Sequence, residues 1–211
     1  MNIFVDVETI PSQRADIVAR IALKHMPVNA EVTEEAAKKG AAELEKTSLA
    51  GTFGELFCIG YAVDDDDPTV IMRDMSARDG ERAMLSAFAA KMGFFAKQIR
   101  RVVAHNVDFD RPFIRQRAII NDVTLTSPFS DVGEKPWESR WECTMALWTN
   151  DRRGRVSLDD LCAAFGLTGK AGVDGSMVAQ MVRDGRGEEV AAYCAGDVKR
   201  LRAVYQRMVR R

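Results

Sequence analysis

At 211 residues, 46% apolar and 29% charged, the chain is long enough for one domain with a sizeable core and has the balance of a soluble globular protein. A formal net charge of −1 excludes a polycation, so a nucleic-acid partner would need a local basic surface or a metal to hold it. Cys58, Cys143, Cys162 and Cys194 form no C-x-x-C pair, no signal-peptide pattern opens the chain and no apolar run reaches spanning length, which together lead us to expect a cytoplasmic protein without zinc, disulfides or a membrane anchor.

In chain order, Ile3–Val7 is apolar and β-branched and predicts a strand buried on both faces. Residues 12–50 predict two helical stretches split by Pro27-Val28-Asn29, the first carrying Ile17, Val18 and Ile21 and the second running from Thr33 to Glu45. Glu55–Val63 and Thr69–Arg73 predict strands, joined by a solvated turn at Asp64–Asp67 before Pro68. Ala77–Arg100 predicts a helix with Ala83, Leu85, Phe88, Phe95 and Ile99 as apolar surface. Arg101–Ala104 is a brief strand, followed by a helix over Phe109–Ile120 with Pro112 in its first turn. Glu142–Trp148 fits strand or helix. Ser157 is the expected N-cap of a helix that Gly166 ends. Helices near Ser176–Arg183 and Glu188–Arg210 follow. The order predicts α/β with a mixed sheet, as a single domain over 1–211.

Four carboxylates stand out. Asp6 and Glu8 are two apart on a strand and point to one face, with Cα atoms about 6.5–7 Å apart. Asp110 follows His105-Asn106-Val107-Asp108-Phe109 at the start of a helix. Asp197 lies mid-helix on the face of Val190, Tyr193, Leu201, Val204 and Met208, so it caps nothing. Clustered carboxylates resist burial unless a cation sits among them, and Mg²⁺ and Mn²⁺ favour oxygen donors. Each also has a plainer reading. Asp6 and Glu8 could be polar strand-end residues, Asp108 or Asp110 a helix cap, and Asp197 the partner of a buried Arg or Lys. With two histidines in the chain, no serine or cysteine has a histidine-based triad, and His105 reads as packed or hydrogen-bonded rather than as a base.

The D-x-E strand, the H-N-x-x-F-D segment and the Y-x-x-x-D helix, in that order, resemble the DEDD superfamily of 3′–5′ exonucleases, and Tyr193 marks its tyrosine subgroup. The stretches Ser157-Leu158-Asp159-Asp160-Leu161, Gly166-Leu167, Gly172-Val173-Asp174-Gly175-Ser176 and Gly185-Arg186 are similar to the predicted exonuclease family related to the proofreading domain of family B DNA polymerases. The resemblance covers most of the chain except 12–50. One departure is Cys143, which stands before Thr144 where related proteins often carry an acid.

The resemblance implies a ribonuclease-H-like (DnaQ-like) fold, with 12–50 as a helical insertion after the first strand. It makes Asp6, Glu8, Asp110 and Asp197 ligands of two divalent cations, Mg²⁺ or Mn²⁺. Tyr193 would orient or help deprotonate the attacking water. Thr9 and Asn106 would contact the terminal nucleotide, and Ile10 or Phe109 would pack on its base. The activity implied is hydrolysis at the 3′ end of single-stranded DNA, releasing nucleoside 5′-monophosphates. The alternatives are an RNA-trimming exoribonuclease with the same site and a non-catalytic nucleic-acid-binding module. Proofreading would require a separate polymerase, or a replication or repair partner.

Arg152, Arg153 and Arg155 are the expected backbone contacts for a single strand. Arg111, Arg115 and Arg117 form a second basic group, and Lys199, Arg200, Arg202, Arg207, Arg210 and Arg211 a third that also reads as solvated surface. Trp137, Trp141 and Trp148 read as packing residues before base-stacking ones. The 12–50 segment is expected to form a flap beside the 3′-end pocket.

Overall fold

Strand β1 (Asn2–Ile10) organises the molecule because both of its faces are used. Ile3, Val5 and Val7 enter one core layer, whereas Phe4 and Ile10 enter clusters on the opposite face. Asp6 and Glu8 interrupt that second face. The computed structural model describes residues 1–25, 33–135, 137–151, 154–170, 172 and 174–209. The expected break at Pro27-Val28-Asn29, together with Arg152, Arg153, Val173, Arg210 and Arg211, lies outside these residues.

Four further strands complete a mixed sheet: β2 (Glu55–Val63), β3 (Thr69–Met72), β4 (Arg101–Ala104) and β5 (Trp141–Cys143), in the order β3-β2-β1-β4-β5. The β1–β2 and β2–β3 pairs are antiparallel, and β1–β4 and β4–β5 are parallel. The predicted limits of β2 and β4 coincide with the observed ones. Apolar runs ended by a turn or a polar segment leave little freedom there. The ambiguous stretch divides: Trp141–Cys143 pairs with β4, and helix α5 (Thr144–Thr149) follows at once.

On one face lie α3 (Gly80–Phe95) and α4 (Val107–Ile120), with Leu85, Phe88, Phe113 and Ile114 buried against β1 and β2. Helix α3 is shorter than its apolar pattern suggests, because residues after Phe95 turn back toward β4. Helix α4 starts two residues before the expected position, which moves Pro112 into its second turn. Its N-cap is Asn106, so neither Asp108 nor Asp110 caps it.

On the other face lie α6 (Leu158–Ala164), α7 (Val178–Arg183) and the long α8 (Gly187–Val209). Ser157 caps α6, accepting from the Asp160 amide, and Gly166 adopts the left-handed conformation just past its end. Gly60 sets how closely α8 approaches β2. A Cβ there would stand 2.7 Å from Cys194 Sγ and 3.1 Å from Val198 Cγ2.

Helices α1 (Ala15–His25) and α2 (Glu34–Lys46) follow β1, with a 3₁₀ turn at Thr47–Leu49. Ile17 and Ile21 anchor α1, while α2 buries none of its side chains. The 3₁₀ turn is tied back to β1, since the Ser12 amide donates to Thr47 Oγ1 at 2.9 Å and Thr9 Oγ1 donates to the Ser48 carbonyl at 2.8 Å.

The acidic turn is not merely solvated. Lys199 reaches Asp67 at 3.2 Å, Arg202 donates to the carbonyls of Asp64 and Asp66, and Gln206 donates to Asp65. Lys199 and Arg202, two of the basic residues on α8, are therefore engaged by this hairpin. All four cysteines are free thiols, and among the described residues no helix is long and apolar enough to cross a membrane.

Candidate active site

The site forms where β1, α4 and α8 meet. Strand alternation turns Asp6 and Glu8 toward α8, and Gly60 allows that helix close enough to bring Asp197 beside them. Glu8, Asp110 and Asp197 are 7%, 5% and 6% exposed, and Asp6 is half-buried. Burial, then the charges of Asp110 and Asp197, hold the Asp6 carboxyl well above the usual carboxylate range. Burial, then Asp6, Asp197 and Asp110, do the same to Glu8. Burial pushes Asp110 up to about 7, against the pull of the Asn106 and Asp110 backbone amides. Four acids from three segments thus share one electrostatic environment.

Their charges are compensated unequally. Arg200, three residues on in α8, donates to Asp197 Oδ1 from Nε at 3.0 Å and Nη2 at 2.5 Å. The buried arginine partner, one of the two readings of Asp197 from sequence, is therefore present. Its i,i+3 spacing was visible in the sequence. The demand for a cation rests instead on Asp6, Glu8 and Asp110, none of which has an arginine or lysine ion pair among the described residues. An all-oxygen set of buried, mutually repelling acids suits hard divalent cations.

Tyr193 is half-buried beside these acids, and burial followed by the charges of Asp197 and Glu8 raises its phenol further above neutrality. Lys170 Nζ stands 5.6 Å over the Tyr193 ring, and its charge lowers the Glu8 carboxyl. Sequence reasoning missed Lys170, which sits on an irregular segment where no periodicity marks it. His105 is held at both ring nitrogens, Nδ1 to Thr144 Oγ1 and Nε2 to the Val156 carbonyl, each at 2.9 Å. The carbonyl can only accept, so Nε2 carries the proton. Burial holds His105 below its usual value, and it is a structural strut. Cys143 Sγ donates to the His105 carbonyl at 3.1 Å, so β5 and the start of α4 are joined without an acid at 143.

Beside Glu8 an open cleft of about 470 Å³ runs between the 3₁₀ turn and α7, lined by Thr9, Lys46, Ser48, Leu49, Phe109 and Ser176 among others. Leu49 is 68% exposed there. Asn106 instead lines a neighbouring groove of about 400 Å³ with Asp108, Arg111 and Glu142. Ile10 is a correction. It is buried at 1% among Phe57, Cys58, Val178 and Met181, because α7 and α8 cover that end of β1, and it has no surface to offer a base.

Two of the basic positions are also corrected. Arg117 is buried against Glu81, and Arg111 pairs with Glu134 while lying over the Trp141 ring. Trp141 is buried and donates to the Pro128 carbonyl, whereas Trp137 and Trp148 are exposed.

Comparison with known proteins agrees with this geometry. The family described as "Predicted 3'-5' exonuclease related to the exonuclease domain of PolB" matches residues 49–210. No curated protein matches the chain. Among solved structures, the family B DNA polymerase from the hyperthermophilic archaeon Pyrobaculum calidifontis matches with a TM-score of 0.64 and 12% identity, over 98% of this chain and 24% of that one. That likeness identifies a ribonuclease-H-like fold, and the chain spans about a quarter of the polymerase. With a family match over most of its length, the chain belongs to the predicted 3′–5′ exonucleases related to the PolB exonuclease domain.

Proposed function

We propose that the chain is a metal-dependent 3′–5′ exonuclease that removes nucleoside 5′-monophosphates from the 3′ end of single-stranded DNA. The observation that carries this reading is the convergence of Asp6, Glu8 and Asp110, which make no arginine or lysine ion pair among the described residues, beside a cleft large enough for a nucleotide. Asp6, Glu8, Asp110 and Asp197 would hold two divalent cations, Mg²⁺ or Mn²⁺. Bound there, such ions supply activation of water and neutralisation of charge on the scissile phosphate and the leaving 3′ oxygen.

The chain's own groups do the rest. Tyr193 stays a phenol at neutral pH with Asp197 as its hydrogen-bond partner, and from there its oxygen would orient the attacking water. Lys170, above that ring, offers positive charge where phosphate charge develops. Phe109 and Leu49, both lining the cleft, would present apolar surface to the terminal base. The Thr9 hydroxyl is already committed to Ser48, so Thr9 contributes by setting the cleft wall there, and Asn106 contacts the nucleotide from the neighbouring groove.

The test is a 5′-labelled oligonucleotide incubated with Mg²⁺ or Mn²⁺. A ladder shortening from the 3′ end is expected, with no products in chelator. Internal cleavage would refute the polarity. A matched RNA oligonucleotide separates exodeoxyribonuclease from exoribonuclease activity, and binding without turnover would favour a non-catalytic module.

A further inference from the structure

Two neighbouring cysteines, Cys58 on β2 and Cys194 on α8, lie beside the acids, and the mechanism above uses neither. Cys194 is wholly buried on α8, one residue after Tyr193. Its Sγ lies 3.6 Å from Asp6 Oδ2, and single donor atoms of Asp6, Glu8 and Cys194 all lie within 4.8 Å of one another. Typical zinc–sulfur and zinc–carboxylate bonds, about 2.3 and 2.1 Å, put two tetrahedral ligands about 3.6 Å apart. The sulfur–oxygen separation already matches that value, so little movement is needed for both atoms to grip one ion.

We propose that Asp6, Glu8 and Cys194 form a mixed sulfur–oxygen site for a thiophilic divalent cation, Zn²⁺ or Cd²⁺, which competes with the hard ions and silences the exonuclease. The inference rests on the proposed function for its consequence, but not for the binding itself. The thiol gives its proton to solvent as the sulfur–metal bond forms, with no redox change. Mg²⁺ gains nothing from sulfur, whereas Zn²⁺ exceeds Mn²⁺ in affinity for such donors. Asp6 is shared by both arrangements, so occupation of one displaces the other. Gly60 keeps the sulfur where it is, since any side chain there would strike it.

The probe is Cd²⁺ titrated into the full chain, read by its ultraviolet sulfur-to-metal charge-transfer band, with Zn²⁺ added to displace it. Wild type should show the band. Cys194→Ser and Asp6→Asn should lose it, and Cys194→Ser should weaken Cd²⁺ binding by about tenfold or more. Thermal melts check that each variant is folded. Mn²⁺ binding to Cys194→Ala, followed by electron paramagnetic resonance, should persist. A band retained in Cys194→Ser would assign it to another thiol and overturn the proposal. So would a wild type that binds Mn²⁺ but gives no band with Cd²⁺, a result that leaves the exonuclease reading standing. A wild type that binds neither ion would remove both.

Discussion

Asp6 is held in an environment that punishes its charge, and this makes function and stability pull in opposite directions. Asp6→Asn should cut turnover about 100-fold or more, because a positioned charge is lost. In chelator the same variant should melt at least ~2 °C higher, since mutual repulsion is relieved. A lowered melting temperature would show that the carboxylate has a structural partner. Asp110 allows a sharper test. Its folded value is raised from 3.8 to about 7, so the support it lends the fold is complete below 3.8 and is lost as pH rises toward 7. The melting advantage of Asp110→Asn over wild type in chelator should therefore grow across that window and then level off. Saturating Mn²⁺ should reverse the ranking. Lys170→Ala should lower turnover about tenfold or more while leaving the melting temperature within about 2 °C.

At the scale of elements, the approach of α8 to β2 decides whether the site exists. Gly60→Ala should cost ~1–3 kcal/mol and weaken Mn²⁺ binding, because the new methyl must push aside Cys194 and Val198. Unchanged binding would mean that the helix yields without moving Asp197. At the cleft beside Glu8, Leu49→Ala tests the insertion. The side chain is mostly exposed, so stability should hold within about 0.5 kcal/mol while KM for an oligonucleotide rises several-fold. These elements also show what a sequence can convey. The limits of β2 and β4 were legible because a fully buried strand is an unbroken apolar run with polar punctuation. The start of α4 was misplaced because a proline suggests a first turn, although this helix tolerates one in its second. Ile10 shares the face of Asp6 and Glu8 by alternation, yet its burial depends on α7, more than 160 residues away. Lys170 depends on the path of an irregular loop, which no local pattern encodes. The sequence offers a buried arginine or lysine as partner to Asp197, and the i,i+3 spacing on α8 picks out Arg200.

Over the whole molecule, the near-neutral charge hides an internal arrangement. The hairpin between β2 and β3 engages α8 at three points, Lys199 with the Asp67 carboxylate, Gln206 with that of Asp65 and Arg202 with the Asp64 and Asp66 carbonyls. Lys199 and Arg202, which could have met a polyanion, are drawn toward their own chain instead. Long-range attraction is then feeble, and capture of a strand relies on close-range fit. Association rates should change little as ionic strength is raised, in contrast to the steep decline of electrostatically guided encounters. Replacing Asp65 and Asp67 with asparagine would unmask these cations, quickening capture at low salt and making it steeply salt-sensitive, at the cost of discrimination between a free 3′ terminus and any other stretch of backbone.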